Sequence, residues 1–276
     1  MKTVLPLPNL KLIFIHGIDD QQTNYSCGLF QRILNQAARK LRARGLPEGE
    51  VQDLCSRIVR HEVMWADLTA DLTNRYCQLQ YQPRRSRWPW TRLMKGLDPL
   101  AMQIMQYIKD KGDKSSGAMN ILKEVDQDIQ KIFFQTNIGE FVPGRDKHAV
   151  LVAHSLGAVI AFDYIFCFRD RCMLDKQVTI HSFITMGSPL PVFTSAMGHP
   201  DSDLTLPPNV KRWVNLISPK DGIARYVRPF FKQIPIDEKE VRTGLLPIQA
   251  HAGYWKSDRV ASLIADEALT ALEAGV

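Results

Sequence analysis

The sequence predicts an α/β fold: a mostly parallel central sheet flanked by helices, carrying a helical insertion. Three observations point to it. Short apolar, β-branched runs recur at residues 11–15, 57–65, 148–153, 178–185 and 210–217. Segments with helical apolar spacing stand between them, at 29–44 and 156–168. The order strand, helix, strand over residues 11–65 is that of a βαβ unit, which requires parallel strands.

The elements follow in order. Residues 11–15 (KLIFI) stop abruptly at His16-Gly17, so the first strand ends at a loop. In 29–44 the residues Leu29, Ile33, Leu34, Ala37, Ala38 and Leu41 fall at helical intervals, and Gly45 and Pro47 stop the helix. Residues 57–65 read as the second strand. The rhythm then breaks over 68–146, which holds an amphipathic segment at 97–110 and a helix at 118–136. This stretch is expected to be an insertion within a single domain spanning 1–276. Its apolar stripe at 97–108 reads either as core or as a lid over an acyl pocket. Regular order returns with the strand at 148–153, the helix at 156–168, and the strands at 178–185 and 210–217. The runs at 231–242 fit one more strand or a hairpin. Residues 257–273 make a closing helix, with Ser257 as its N-cap.

Composition narrows the class. The chain has 276 residues, 45% of them apolar and 23% charged, which excludes disordered, collagenous and coiled-coil proteins. No uninterrupted apolar run is long enough for a transmembrane helix, and the N-terminus lacks a signal-peptide layout. A cytoplasmic protein is the expectation. Five cysteines with no CxxC spacing point to reduced thiols. The 35 basic residues exceed the 29 acidic ones, and the excess is local: Arg84, Arg85, Arg87, Arg92 and Lys95 fall together with no acid between them. The rest is close to neutral, so no nucleic-acid partner is expected. With Trp88-Pro89-Trp90, residues 84–95 read either as a peripheral membrane contact or as a solvated loop.

The chemistry sits at Ala153-His154-Ser155-Leu156-Gly157, between an apolar strand and an apolar helix. A serine on a sharp strand-to-helix turn has strained backbone angles and an exposed Oγ. Strand and helix then run so close that the residues two before and two after must be small, as Ala153 and Gly157 are. The turn also sets the Leu156 N–H at a helix start, where it can bind a developing oxyanion. The plainer alternative is a small-residue turn in which Ser155 only caps the helix.

This stretch resembles the G-x-S-x-G nucleophile elbow of the α/β-hydrolase superfamily, lipase and serine-esterase branch, with Ala for the first Gly. The resemblance covers 11–66 and 148–273. It implies the chain order Ser, Asp or Glu, His. The implied base is His251, late in the chain, within Gln249-Ala250-His251-Ala252-Gly253-Tyr254-Trp255, on a loop before the last helix; His199 is the second choice. His181, early in a strand, reads as a core or edge group. The implied acid is Asp221, after the strand at 210–217, with Asp203 as the fallback and a turn-forming Asp as the alternative. The second oxyanion donor is the Ile18 N–H, on a loop shaped by Gly17. By the same resemblance His16 and Met186, the latter with Gly187-Ser188-Pro189, lie at the substrate pocket; a structural His16 and a plain proline turn are the alternatives. Asp67 receives no catalytic role.

The resemblance implies a serine hydrolase of small-molecule or lipid carboxylic esters, working through an acyl-enzyme without metal or organic cofactor. Thioester, phospholipid or amide hydrolysis on the same triad, a non-catalytic interaction protein of this fold, and a membrane-binding module remain as rivals.

Overall fold

The computed structural model describes residues 9–17, 24–65, 117–134, 147–167, 178–196 and 204–275. Six strands form one sheet: β1 (Leu10–Ile15), β2 (Ile58–Val63), β3 (His148–His154), β4 (Thr179–Met186), β5 (Trp213–Ile217) and β6 (Ile236–Glu240). Their spatial order is β2-β1-β3-β4-β5-β6, and every neighbouring pair is parallel. The runs at 231–242 therefore supply one strand, with no hairpin among the described residues.

Period-two alternation explains why this sheet is covered on both faces. In β1, Leu10, Leu12 and Phe14 enter one core while Ile13 and Ile15 enter the other. The same split places Val150 and Val152 of β3 on the first face and Leu151 and Ala153 on the second. The first face is covered by α1 (Cys27–Ala43), which buries Leu29, Ile33, Ala37 and Leu41 at four-residue steps, and by the closing helix α7 (Asp258–Gly275). These two helices run parallel, with surface ion pairs Arg32–Asp258 at 2.7 Å and Lys40–Asp266 at 2.9 Å along their seam.

The second face is covered by α3 (Gly117–Phe134) and α4 (Leu156–Phe162), the latter continuing as a π-helical turn, Asp163–Cys167. Helix α3 falls inside the stretch read as an insertion. Its Ile121, Val125 and Ile129 are buried with Val63, Trp65 and Tyr164, and the Tyr164 hydroxyl donates to Asp126 at 2.6 Å. That helix is thus a piece of the main core. Residues 66–116 and 135–146, with the 84–95 patch, the 97–108 stripe and Asp67, lie outside the described residues.

Three short helices have no counterpart in the sequence reading: α2 (Glu48–Ser56), α5 (Leu190–Ala196) and α6 (Pro247–Ala252). At seven and six residues, α5 and α6 are too short to display a helical apolar period. Among the described residues, no helix is long and apolar enough to cross a membrane. Cys27 and Cys55 are free thiols.

Candidate active site

The site lies at the C-terminal edge of the sheet, where β3 turns into α4. Ser155 adopts φ 54° and ψ −128°, a left-handed conformation that a side-chain-bearing residue rarely takes. Neighbouring strands hold it there: the Ser155 N–H donates to the Met186 carbonyl at 3.0 Å. Two glycines make the approach feasible. A Cβ on Gly157 would stand 2.2 Å from the His16 carbonyl oxygen, and one on Gly17 would stand 2.6 Å from Ser155 Cβ. The small-residue demand at position 157 is thus a contact between α4 and the end of β1. Gly17, on the loop after β1, lies directly against the serine.

Asp221 follows β5. Its Oδ1 accepts the Ile223 N–H at 2.8 Å and the Ala224 N–H at 3.2 Å, a local turn that fixes the carboxylate. His251 stands in α6, a six-residue helix rather than the loop expected for it. Thr243 Oγ1 donates to the Ala250 carbonyl at 2.6 Å and ties this helix to the segment after β6. Together the three residues form one line. His251 Nδ1 lies 2.9 Å and 3.0 Å from the two Asp221 oxygens, and His251 Nε2 lies 2.8 Å from Ser155 Oγ. A carboxylate at Nδ1 places the proton there, so Nε2 is left to accept the serine hydroxyl.

Electrostatics fit this line. Burial opposes the charge on Asp221, but the His251 ring and the two backbone N–H donors outweigh it and hold the carboxyl below its usual range. The Asp221 carboxylate is wholly enclosed, so its charge acts on His251 with little screening. Leu156, the first residue of α4, is fully buried, and its N–H belongs to the helix start that has no partner within the helix. Ile18 lies outside the described residues, as do His199 and Asp203.

The remaining sequence candidates are packed. His16 is 1% exposed; its ring stacks on Trp65 at 5.2 Å, meets Tyr25 edge-on at 5.0 Å, and its Nδ1 lies 2.6 Å from the Gly17 carbonyl. Met186 is fully buried and meets the site through its backbone carbonyl. His181 pairs with His148 across β3 and β4 at 2.9 Å, a sheet contact away from the serine.

Two site residues escaped the sequence reading. Tyr254 is fully buried; its hydroxyl accepts the Ser218 N–H at 2.7 Å and lies near the Asp221 charge. Burial and the Asp221 charge push its phenol well up. His154 packs against His251 with ring centroids 4.8 Å apart. The one signal for either was adjacency, since Tyr254 is three residues from His251 and His154 immediately precedes Ser155.

No protein-family profile and no curated protein matches the sequence. Among solved structures the chain is similar to the esterase domain of a Rhodothermus marinus protein, at 11% identity and a TM-score of 0.34, covering 99% of this chain and 89% of that one. It is also similar to Lpx1, a peroxisomal α/β-hydrolase of Saccharomyces cerevisiae, at 10% identity and a TM-score of 0.37, covering 96% and 78%. At this level of likeness neither neighbour speaks to the chemistry. The architecture itself is a parallel sheet helix-covered on both faces, with Ser155 on a sharp turn leaving a central strand.

Proposed function

We propose that the protein is a serine hydrolase that cleaves carboxylic esters through an acyl-enzyme on Ser155. The observation that carries this is the continuous line Asp221–His251–Ser155, with the serine held at positive φ. Strain of that kind persists only where the surrounding structure enforces it, and a helix cap does not need it.

The steps follow from the geometry. His251 Nε2 takes the Ser155 proton as Oγ attacks the acyl carbon. Asp221 holds the imidazole in the required tautomer and offsets the charge that forms on it. The negative charge on the substrate oxygen falls at the start of α4, where the Leu156 N–H donates; the Ile18 N–H is the second donor in this reading. His251 returns the proton to the leaving alcohol, and water, activated by the same ring, releases the acid.

The test is intact mass after treatment with a fluorophosphonate, for wild type, Ser155→Ala and His251→Ala. A single adduct on wild type, mapped to Ser155 and lost in both variants, is the expected result. Folded wild type that stays unmodified, in buffer and in detergent micelles, overturns the reading. Hydrolysis of matched ester and thioester substrates then separates the two acyl chemistries.

A further inference from the structure

His154 is joined to the His251 segment at two points. One ring nitrogen, Nε2, lies 2.9 Å from the His251 carbonyl oxygen. The other, Nδ1, receives the Trp255 indole N–H at 3.3 Å. A carbonyl only accepts and an indole only donates, so both contacts demand the same tautomer, with the proton on Nε2. The ring also meets His251 and Tyr254 at a tilt and Trp255 edge-on, at centroid distances of 4.8, 5.6 and 5.6 Å.

These contacts have a particular topology. His154 closes β3 and is bonded through the backbone to Ser155. The segment carrying His251 is two short turns, α6 and the 3-10 turn Gly253–Lys256, beyond the far side of the sheet in sequence. A contact from His154 to the backbone of His251 therefore fixes the base relative to the nucleophile without using either reacting group. The Ser155–His251 hydrogen bond cannot do this alone, because it changes with each proton transfer.

We infer that His154 is a positioning residue whose Nε2–H strap to the His251 carbonyl holds the base in line with Ser155. This rests on the serine-hydrolase reading. The Trp255 contact that fixes this tautomer lasts only while His154 is neutral, since a proton on Nδ1 would face the indole N–H. Burial first, and then the neighbouring His251 ring, push it down to about 3, so it carries no proton on Nδ1 at neutral pH. A cation at 154 would also repel the imidazolium that forms at 251.

The experiment compares fluorophosphonate labelling kinetics of wild type, His154→Gln, His154→Phe and Trp255→Phe. Gln carries its amide N–H close to where Nε2 stands, whereas Phe keeps the ring shape without a donor. The maximal labelling rate of His154→Phe falls about ten- to a hundredfold, the cost of a small misplacement, while its half-saturating reagent concentration stays at the wild-type value. His154→Gln recovers most of that loss. If His154→Phe does not fold, His154→Gln and Trp255→Phe decide: Gln near wild type, and Trp255→Phe about threefold slower through a freed tautomer, support the strap. A reactive wild type with unchanged His154→Phe overturns the strap and leaves the serine-hydrolase reading standing. So does a loss that is equal in Phe and Gln and follows melting temperature, which marks a packing role. An unreactive wild type removes both.

Discussion

Ser155 Oγ and His251 Nε2 lie 2.8 Å apart although 96 residues of chain separate them. The sheet makes this meeting possible. β3, β4 and β5 are parallel neighbours, so their following loops emerge on one edge, and Asp221 on the third of these loops faces the elbow on the first. Each prediction below tests one of the contacts that hold this arrangement.

Asp221→Asn keeps the shape of the acid but donates to His251 Nδ1 rather than accepting from it. The imidazole then takes the wrong tautomer. Ester hydrolysis falls about a thousandfold or more, while circular dichroism and melting temperature stay near wild type. A drop smaller than about tenfold would remove Asp221 from the triad.

Gly17→Ala and Gly157→Ala separate site from fold. The new Cβ at 17 meets Ser155 Cβ at 2.6 Å, so it displaces the reacting group. Activity falls about a hundredfold with a modest change in stability. The new Cβ at 157 meets the carbonyl oxygens of His16 and Ile15 at 2.2 and 2.7 Å, in backbone that cannot yield. That variant loses about 4 kcal/mol or fails to fold. Denaturant unfolding beside labelling measures both; equal effects on both quantities would refute the distinction.

Glu62→Ala weakens the start of α1. No acidic residue occupies the first turn of that helix, and Ser26 makes no side-chain cap. Glu62, on β2, serves instead: it accepts the Ser26 N–H at 2.8 Å, the Ser26 hydroxyl at 2.6 Å and the Asn24 N–H at 2.7 Å, and pairs with Arg60. The expected loss is about 2 kcal/mol in urea unfolding, from the lost cap and unpaired donors. A loss under about 0.5 kcal/mol would show that water replaces the carboxylate.

Acid destabilises the protein below neutrality, and His154 supplies part of the effect. Its folded value is about 3 against an ordinary 6.5, so between these values the unfolded chain binds a proton that the folded chain does not. Stability contributed this way is complete above pH 6.5 and is lost as pH falls toward 3, at about 1.4 kcal/mol per pH unit for the group. His61, pushed down to about 4 by burial, Lys11 and Arg60, adds in the same direction. Melting temperature from pH 7 to 5 therefore drops less in His154→Gln than in wild type. Identical slopes would mean that His154 is not held neutral.

Much of the site was legible because elbow chemistry is local. The spacing Ala153…Ser155…Gly157 records a steric demand within five residues, and the strand before it and helix after it are continuous apolar runs. Asp221 was legible as the one carboxylate on its loop, beside Gly222. His154 was not, because its partners are the His251 carbonyl and the Trp255 indole, about a hundred residues downstream. Nor was the helical setting of His251, since α6 owes its shape to Pro247 at its first turn and to its tie to Thr243 rather than to an apolar period. For helix α3 the stripe of Ile121, Val125 and Ile129 was legible but its partners were not; only the packed structure supplies Val63, Trp65 and Tyr164.

By itself the sequence determined the strands, the longer helices, the parallel α/β class and the turn that strains Ser155. Each of these follows from side-chain periodicity or from sterics between near neighbours. The tertiary structure alone decided which residues meet: the 2.8 Å approach of base to serine, the tie of Tyr254 to the Ser218 backbone and the His154 strap. Those contacts join strands, turns and helices that are distant along the chain, and only the sheet order β2-β1-β3-β4-β5-β6 sets their separations in space.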